Sequence, residues 1–251
     1  TPLQVKVEFL QTASYTPQHV DSNHMETFYT TFDQVKGRWF DGMIITGAPL
    51  ENMEYEEVSY WDELCEIMEW SKTHVHCTLH VCWGAYAALY YHYGIKSYTL
   101  DKKLSGVYSH TLCKHGSPLF RGFDDVFYAP HSRGIDIHEE DVRKVPELEI
   151  MATSEEAGVT IVKTTDSKHF FVNCHLEYDY NTLQLEYERD LKKGLNPAIP
   201  EHYFPDDDPS KRPLVTWRSA GQLLYSNWLN FYVYQTTRYE IGTPPTKENE
   251  K

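Results

Sequence analysis

Positive charge is scarce in this sequence: 23 Lys and Arg stand against 37 Asp and Glu, a formal net charge of −14 over 251 residues. Such a balance argues against nucleic acid as a partner, because phosphate backbones are held by clustered cations. Any anionic ligand would therefore need a local gathering of Lys and Arg. Cysteine is sparse as well. The five residues Cys65, Cys77, Cys82, Cys113 and Cys174 are odd in number and follow no disulfide framework, so a reducing, cytoplasmic setting is expected. Apolar runs fall far short of the roughly 20 residues that a membrane span needs. No signal-peptide pattern opens the chain, and no membrane association is expected. The composition, 41% hydrophobic and 24% charged, suits one domain with a substantial core, taken as residues 1–242 and followed by a flexible tail, Thr243–Lys251.

Strand and helix patterns alternate along the chain. Val5–Leu10 reads as a strand and His24–Val35 as a helix. Phe40–Ile45 is a compact apolar strand that ends in the turn Thr46–Pro49. Glu56–Lys72 carries Val58, Trp61, Leu64, Cys65 and Met68 at helical spacing. Thr78–Val81 predicts a strand, and Trp83–Tyr93 a helix stopped by Gly94. Leu148–Ala152, Val159–Val162 and Phe170–Asn173 read as later strands. Asn181 is placed to cap a helix running to Lys193, with Gln184 three residues on and Gly194 past its end, and Arg218–Tyr239 reads as a long aromatic helix. The alternation predicts an α/β fold with a mostly parallel central sheet flanked by helices. Function in that architecture gathers at the carboxyl ends of strands, where both the Thr46–Pro49 turn and Cys82 fall.

Cys82 lies in T78-L-H-V-C-W-G-A-Y-A-A-L89, where a strand runs directly into a small-residue helix. A nucleophile at such a turn is pushed out of the backbone toward free N–H groups at the helix start. A cysteine nucleophile needs a base and an orienting group. His175 and Glu177, two apart in an extended C174-H-L-E177, are candidates, since alternate side chains of an extended segment point the same way. As a plain surface loop pair they would do nothing. Gly47 can bring its amide beside that of Trp83 to make an oxyanion hole, although a strand-ending turn needs no function.

At these residues the chain resembles the homoserine O-acyltransferases of methionine biosynthesis. The resemblance rests on F40-D-G-M-I-I-T-G-A-P-L50, H80-V-C-W-G-A85, K103-L-S-G-V-Y108, R121-G-F-D-D125, A129-P-H-S-R133, E177-Y-D-Y-N-T-L183 and S226-N-W-L-N-F-Y-V-Y-Q235, and spans nearly the whole sequence. It implies a class I glutamine amidotransferase-like, flavodoxin-like architecture. It also implies transfer of an acyl group from a coenzyme A thioester to L-homoserine, with no permanently bound cofactor and no resident metal, in a cytoplasmic homodimer.

Position by position, the resemblance makes Cys82 the acyl-thioester nucleophile, His175 the proton acceptor and Glu177 its partner. Lys103, Ser132 and Arg189 fall on substrate-binding positions, and Glu51 and Ser132 on positions that choose the acyl group. A glutamate at 51 fills the room that a succinyl carboxylate would take and repels its charge, so acetyl-CoA is the expected co-substrate. Three departures stand out: Leu176 replaces a usual proline, Tyr86 and Ala220 replace usual Gln and His, and a preceding segment with a further strand is expected before Thr1.

Three other readings compete. His74, His76, His80 and Cys82, with Cys77 nearby, share the parity of an extended segment and are of zinc-binding type. One flat strand, however, spreads alternate side chains by about 7 Å. The same triad could hydrolyse glutamine or peptide amides. The aromatic C-terminal helix could be a binding surface, though aromatics at helical spacing are commonly core or a homodimer contact.

Overall fold

The computed structural model describes residues 3–14 and 29–237. Strand β1 (Phe9–Gln11) pairs in parallel with β2 (Tyr29–Thr31) as a small sheet of its own. The seven other strands are β3 (Phe40–Ile45), β4 (Val75–Val81), β5 (Ser97–Leu112), β6 (Val126–Ile137), β7 (Leu148–Ser154), β8 (Gly158–Thr164) and β9 (His169–Val172). They form one sheet in the order β3-β4-β9-β8-β7-β5-β6.

Only the β3–β4 and β4–β9 pairings are parallel, and the remaining four are antiparallel. The expected α/β sheet is therefore mixed, and the mostly parallel expectation holds for its site-bearing end alone. The antiparallel run β9-β8-β7-β5-β6 accounts for the difference, and β5–β6 is its longest pairing. In β5 the exposed stretch Asp101-Lys102-Lys103 breaks the alternation by which a strand is recognised.

Helix α1 (Phe32–Val35) is a single turn after β2. The helix predicted from residue 24 is thus a strand and a short helix from residue 29 on, because Tyr-Thr-Thr favours an extended backbone. Residues 24–28 lie outside the described residues, as do Thr243–Lys251. The first predicted strand shrinks to Phe9–Gln11.

Helix α2 (Trp61–His74) buries Trp61, Leu64 and Met68 of the predicted stripe, with Ile67 and Ser71 besides, while the predicted Cys65 is only half-buried. It begins later than predicted, since Tyr55–Glu57 form a separate 3₁₀ turn. Helix α3 (Trp83–Tyr93) matches its prediction, and left-handed Gly94 (φ 67°) ends it. Ala85, Ala87, Ala88 and Leu89 are wholly buried, so α3 packs into the core on all sides.

A short helix α4 (Glu139–Arg143) precedes β7. Helix α5 (Thr182–Lys192) has Asn181 at its cap position, but the Asn181 side chain makes no capping bond, and Gln184 donates to Glu188 instead. The predicted aromatic helix splits into α6 (Arg218–Asn227) and a π-helical segment, Trp228–Tyr234, in which Gln235 N–H reaches back five residues to Asn230. Trp228 and Tyr232 are buried there, so these aromatics are core rather than an open surface. Among the described residues, no helix is long and apolar enough to cross a membrane.

Candidate active site

The turn from β4 into α3 carries the site. Cys82 has φ 53° and ψ −124°, a backbone state that costs a non-glycine residue about 1–3 kcal/mol. Tertiary contacts hold it there. Its N–H donates to Val172 O on β9 at 2.8 Å, and its carbonyl accepts from Ala85 at 2.9 Å as the first bond of α3. The residue is 6% exposed.

Two glycines allow the chain to close around this turn. A Cβ on Gly84 would lie 2.8 Å and 2.9 Å from the carbonyls of Thr46 and Ile45, so only glycine lets the helix start meet the end of β3. A Cβ on Gly47 would stand 3.0 Å from Cys82 Cβ and 3.4 Å from both its Sγ and the Trp83 amide nitrogen. Gly47 therefore packs directly against the start of α3, at Cys82 and the Trp83 amide.

His175 follows β9 and is pinned by its own N–H to Pro130 O at 2.8 Å. Nδ1 stands 2.7 Å from Glu177 Oε1, which leaves Nε2 as the ring nitrogen available to Cys82, whose side chain acts on the imidazole. Burial alone would depress the imidazole's pKa. The interactions with Cys82 and Glu177 outweigh it and raise the group to about 10, so the site favours a proton on the ring. Tyr178 stacks on His175 with ring centroids 4.2 Å apart. Leu176, where the resemblance expects proline, is buried, and its carbonyl lies 2.5 Å from where a Gly221 Cβ would be, so α6 packs directly against this loop.

Next to the histidine, Tyr178 donates to Glu186 Oε1 at 2.8 Å, and Ser132 Oγ donates to Glu186 Oε2. Lys103 Nζ lies 3.7 Å from the same carboxylate. Glu186 and Tyr178 were not among the residues singled out from sequence. The available signal was spacing, since Glu186 lies one turn before Arg189 on α5. Arg189 itself is not brought into this cluster. Its Nε donates to Asp190 at 2.8 Å, and its side chain is half exposed.

Glu51 lies on the other side, with Oε2 accepting from Gly134 N–H at 2.6 Å. Burial raises its pKa, against the Gly134 bond and the positive charges of Lys103, Arg133 and His175. Behind it Arg133, 1% exposed, pairs with Asp136 at 3.1 Å, and the Tyr86 hydroxyl approaches Asp136 at 3.5 Å.

The residues of the alternative metal site diverge. His74 ends α2 and stacks on Trp39 and Trp70, His76 bonds to Thr236, and His80 is buried against Phe171. Cys77 accepts from the Trp228 indole at 3.1 Å. Among the described residues, no group of three or more His, Cys, Asp or Glu is arranged to hold a metal ion.

The fold and the Cys82–His175–Glu177 line define a class: an α/β protein with a cysteine at a nucleophile elbow, built like the class I glutamine amidotransferases. Solved structures share that fold at low identity. A glutamine amidotransferase from Thermotoga maritima aligns with a TM-score of 0.55 and 16% identity over 89% of this chain and 91% of its own. One from Methylobacillus flagellatus aligns at 0.56 and 13%, over 90% and 95%.

The chain belongs to the homoserine O-succinyltransferase family, whose model matches residues 1–239. Similar relatives bear the name homoserine O-acetyltransferase. That of Agathobacter rectalis is 58% identical over 241 residues, 96% of this chain and 78% of its own length. Those of Geobacillus kaustophilus and Acetivibrio thermocellus are 57% and 54% identical, each over 96% of this chain and 80% and 79% of their own.

Proposed function

We propose that this protein is a homoserine O-acetyltransferase, transferring the acetyl group of acetyl-CoA to the hydroxyl of L-homoserine through acetyl-Cys82. The observation that carries the reading is the contiguous line Cys82–His175–Glu177 at the β4–α3 elbow, with Glu51 beside it. Family membership and the names of the relatives support the same conclusion.

The chemistry follows from that line. His175 takes the proton of the Cys82 thiol as the sulfur attacks the thioester carbonyl carbon of acetyl-CoA. Negative charge develops on the carbonyl oxygen, where the backbone amides of Gly47 and Trp83 are the proposed donors. The bond to the coenzyme sulfur breaks, and the departing thiolate takes the Nε2 proton of His175. Neutral His175 then accepts the proton of the homoserine hydroxyl as its oxygen attacks acetyl-Cys82. Collapse of that intermediate releases O-acetyl-L-homoserine, and the departing Cys82 sulfur takes the proton back from His175. Glu177 holds the ring in the productive tautomer throughout.

Substrate positions are read from charge. The Glu186 carboxylate, oriented by Tyr178 and Ser132, suits the homoserine ammonium, and Lys103 is placed to meet a polar or anionic group beside it. Arg189 would have to leave Asp190 to grip the homoserine carboxylate. Glu51 disfavours succinyl-CoA by occupying the acyl end of the site and by adding a second carboxylate. Homodimer assembly and a cytoplasmic location complete the reading, and light scattering tests the first.

The deciding experiment incubates the protein with acetyl-CoA or succinyl-CoA, with and without homoserine, and follows the Cys82 peptide by mass spectrometry. Acetylation of Cys82 that disappears on adding homoserine, with little succinylation, is expected. Turnover that survives Cys82→Ala would sink the scheme. A parallel incubation with glutamine tests for amide hydrolysis.

A further inference from the structure

A cleft of about 270 Å³ opens between β5, α5 and the loop after α5, and its inner end is the site itself, because Lys103 and Glu186 line both. One wall is apolar. Leu195 and Ile199 are 64% and 36% exposed, and Pro197 and Ala198 stand between them in sequence. The other wall is the Lys102–Lys103 edge of β5.

Cations gather here although the chain as a whole carries −14. Arg189, Lys103 and Lys193 all act on the Asp190 carboxylate in the cleft, and Lys102 reaches Glu201 at 2.7 Å. The lining thus carries as many cations, Lys102 and Lys103, as carboxylates, Glu186 and Asp190. Homoserine does not account for the outer cleft: it is a small zwitterion with no use for an apolar wall. A coenzyme A thioester has both matching parts, a slender pantetheine arm and an anionic phosphate end. At about 270 Å³ the cleft falls just below the roughly 300–1,000 Å³ of sites that enclose a whole drug-sized ligand. It therefore suits the arm, with the nucleotide outside.

We infer that this cleft is the coenzyme A track, with pantetheine lying along Leu195–Ile199, the phosphates at Lys102 and Lys193, and the thioester delivered past Glu186 to Cys82. The inference rests on the proposed acetyl transfer for its ligand. Because the coenzyme track and the amino-acid position share Lys103 and Glu186, the spent coenzyme must leave before homoserine settles, which is the order that an acetyl-Cys82 intermediate requires.

The test is direct binding of coenzyme A itself by isothermal titration calorimetry, to the wild type and to Leu195→Glu and Lys102→Glu, with homoserine titrated separately. Acylation of Cys82 by p-nitrophenyl acetate, which has no coenzyme arm, reports that the site is intact. The expected result is coenzyme A affinity weakened at least about tenfold in both variants, with homoserine binding and p-nitrophenyl acetate acylation as in the wild type. Unchanged coenzyme A affinity in either variant, or a wild type that binds none, overturns the track. A wild type that binds coenzyme A through these residues yet transfers no acetyl group would leave the track standing and overturn the reaction instead.

Discussion

His175 Nδ1 and Glu177 Oε1 stand 2.7 Å apart across a single intervening residue, and the buried loop that joins them also carries the carbonyl on which α6 packs. The orienting carboxylate is therefore part of the local backbone geometry. Replacing Glu177 by Gln keeps the shape but removes the charge that favours the imidazolium. A drop in kcat of about 10²–10⁴, with the KM for homoserine little changed, is expected from steady-state assays.

Glu51 offers a change of acyl donor. Glu51→Gly removes the carboxylate held by Gly134 and opens the space beside it. The ratio of kcat/KM for succinyl-CoA over acetyl-CoA should rise by about 10²-fold, in line with relief of a like-charge contact of a few kcal/mol. An unchanged ratio would move acyl selection away from this residue.

The elbow stores strain that a pair of inactive variants can reveal. At φ 53°, alanine pays a steric penalty that glycine does not. Cys82→Gly should therefore be more stable than Cys82→Ala by about 1 kcal/mol, read from the midpoints of urea unfolding.

Stability should fall on both sides of neutrality, for opposite reasons. Burial holds His80, His92 and His169 below the ordinary imidazole range, His92 at about 3 and His169 at about 4, and both ring nitrogens of His80 and of His92 lack partners. The facing charges do not reverse this, although Glu69 favours protonation of His92 and Asp166 that of His169, with Lys72 opposing both. The unfolded chain takes up protons near pH 6.5 while the folded one does not. Stability present above that pH is lost as it falls toward the folded values, by about 2 kcal/mol each for His92 and His169 at pH 5. His175 runs the other way. Raised to about 10, its contribution is complete below about pH 6.5 and is lost as pH rises through the folded value. Urea unfolding at acid, neutral and alkaline pH should show both arms, with His92→Phe flattening the first and His175→Ala the second.

Local signals made much of the site legible before any coordinates. The strand-into-helix stretch around Cys82 and the apolar strand before Gly47 have patterns that depend on near neighbours, and both elements appear where they were expected. His175 and Glu177 could be paired because they are two residues apart. The strands β5 and β6 were not legible, since their charged and partly exposed faces hide the alternation, and strand direction was not legible either, because β7, β8 and β9 pair antiparallel through short turns.

The sequence by itself determined the chemical inventory: a thiol at a tight turn, a histidine with its carboxylate, glycines where backbones must touch, and a glutamate at the acyl position. The first three follow from residue type and short spacing, which the covalent chain enforces, and the acyl role of Glu51 is what the family resemblance implies. Only the tertiary structure decided which groups meet across long separations. It brought Cys82 to His175, placed Glu186 between Ser132, Tyr178 and Lys103, and left Arg189 on Asp190. Those contacts depend on strand order and register, which are set by the packing of the whole sheet.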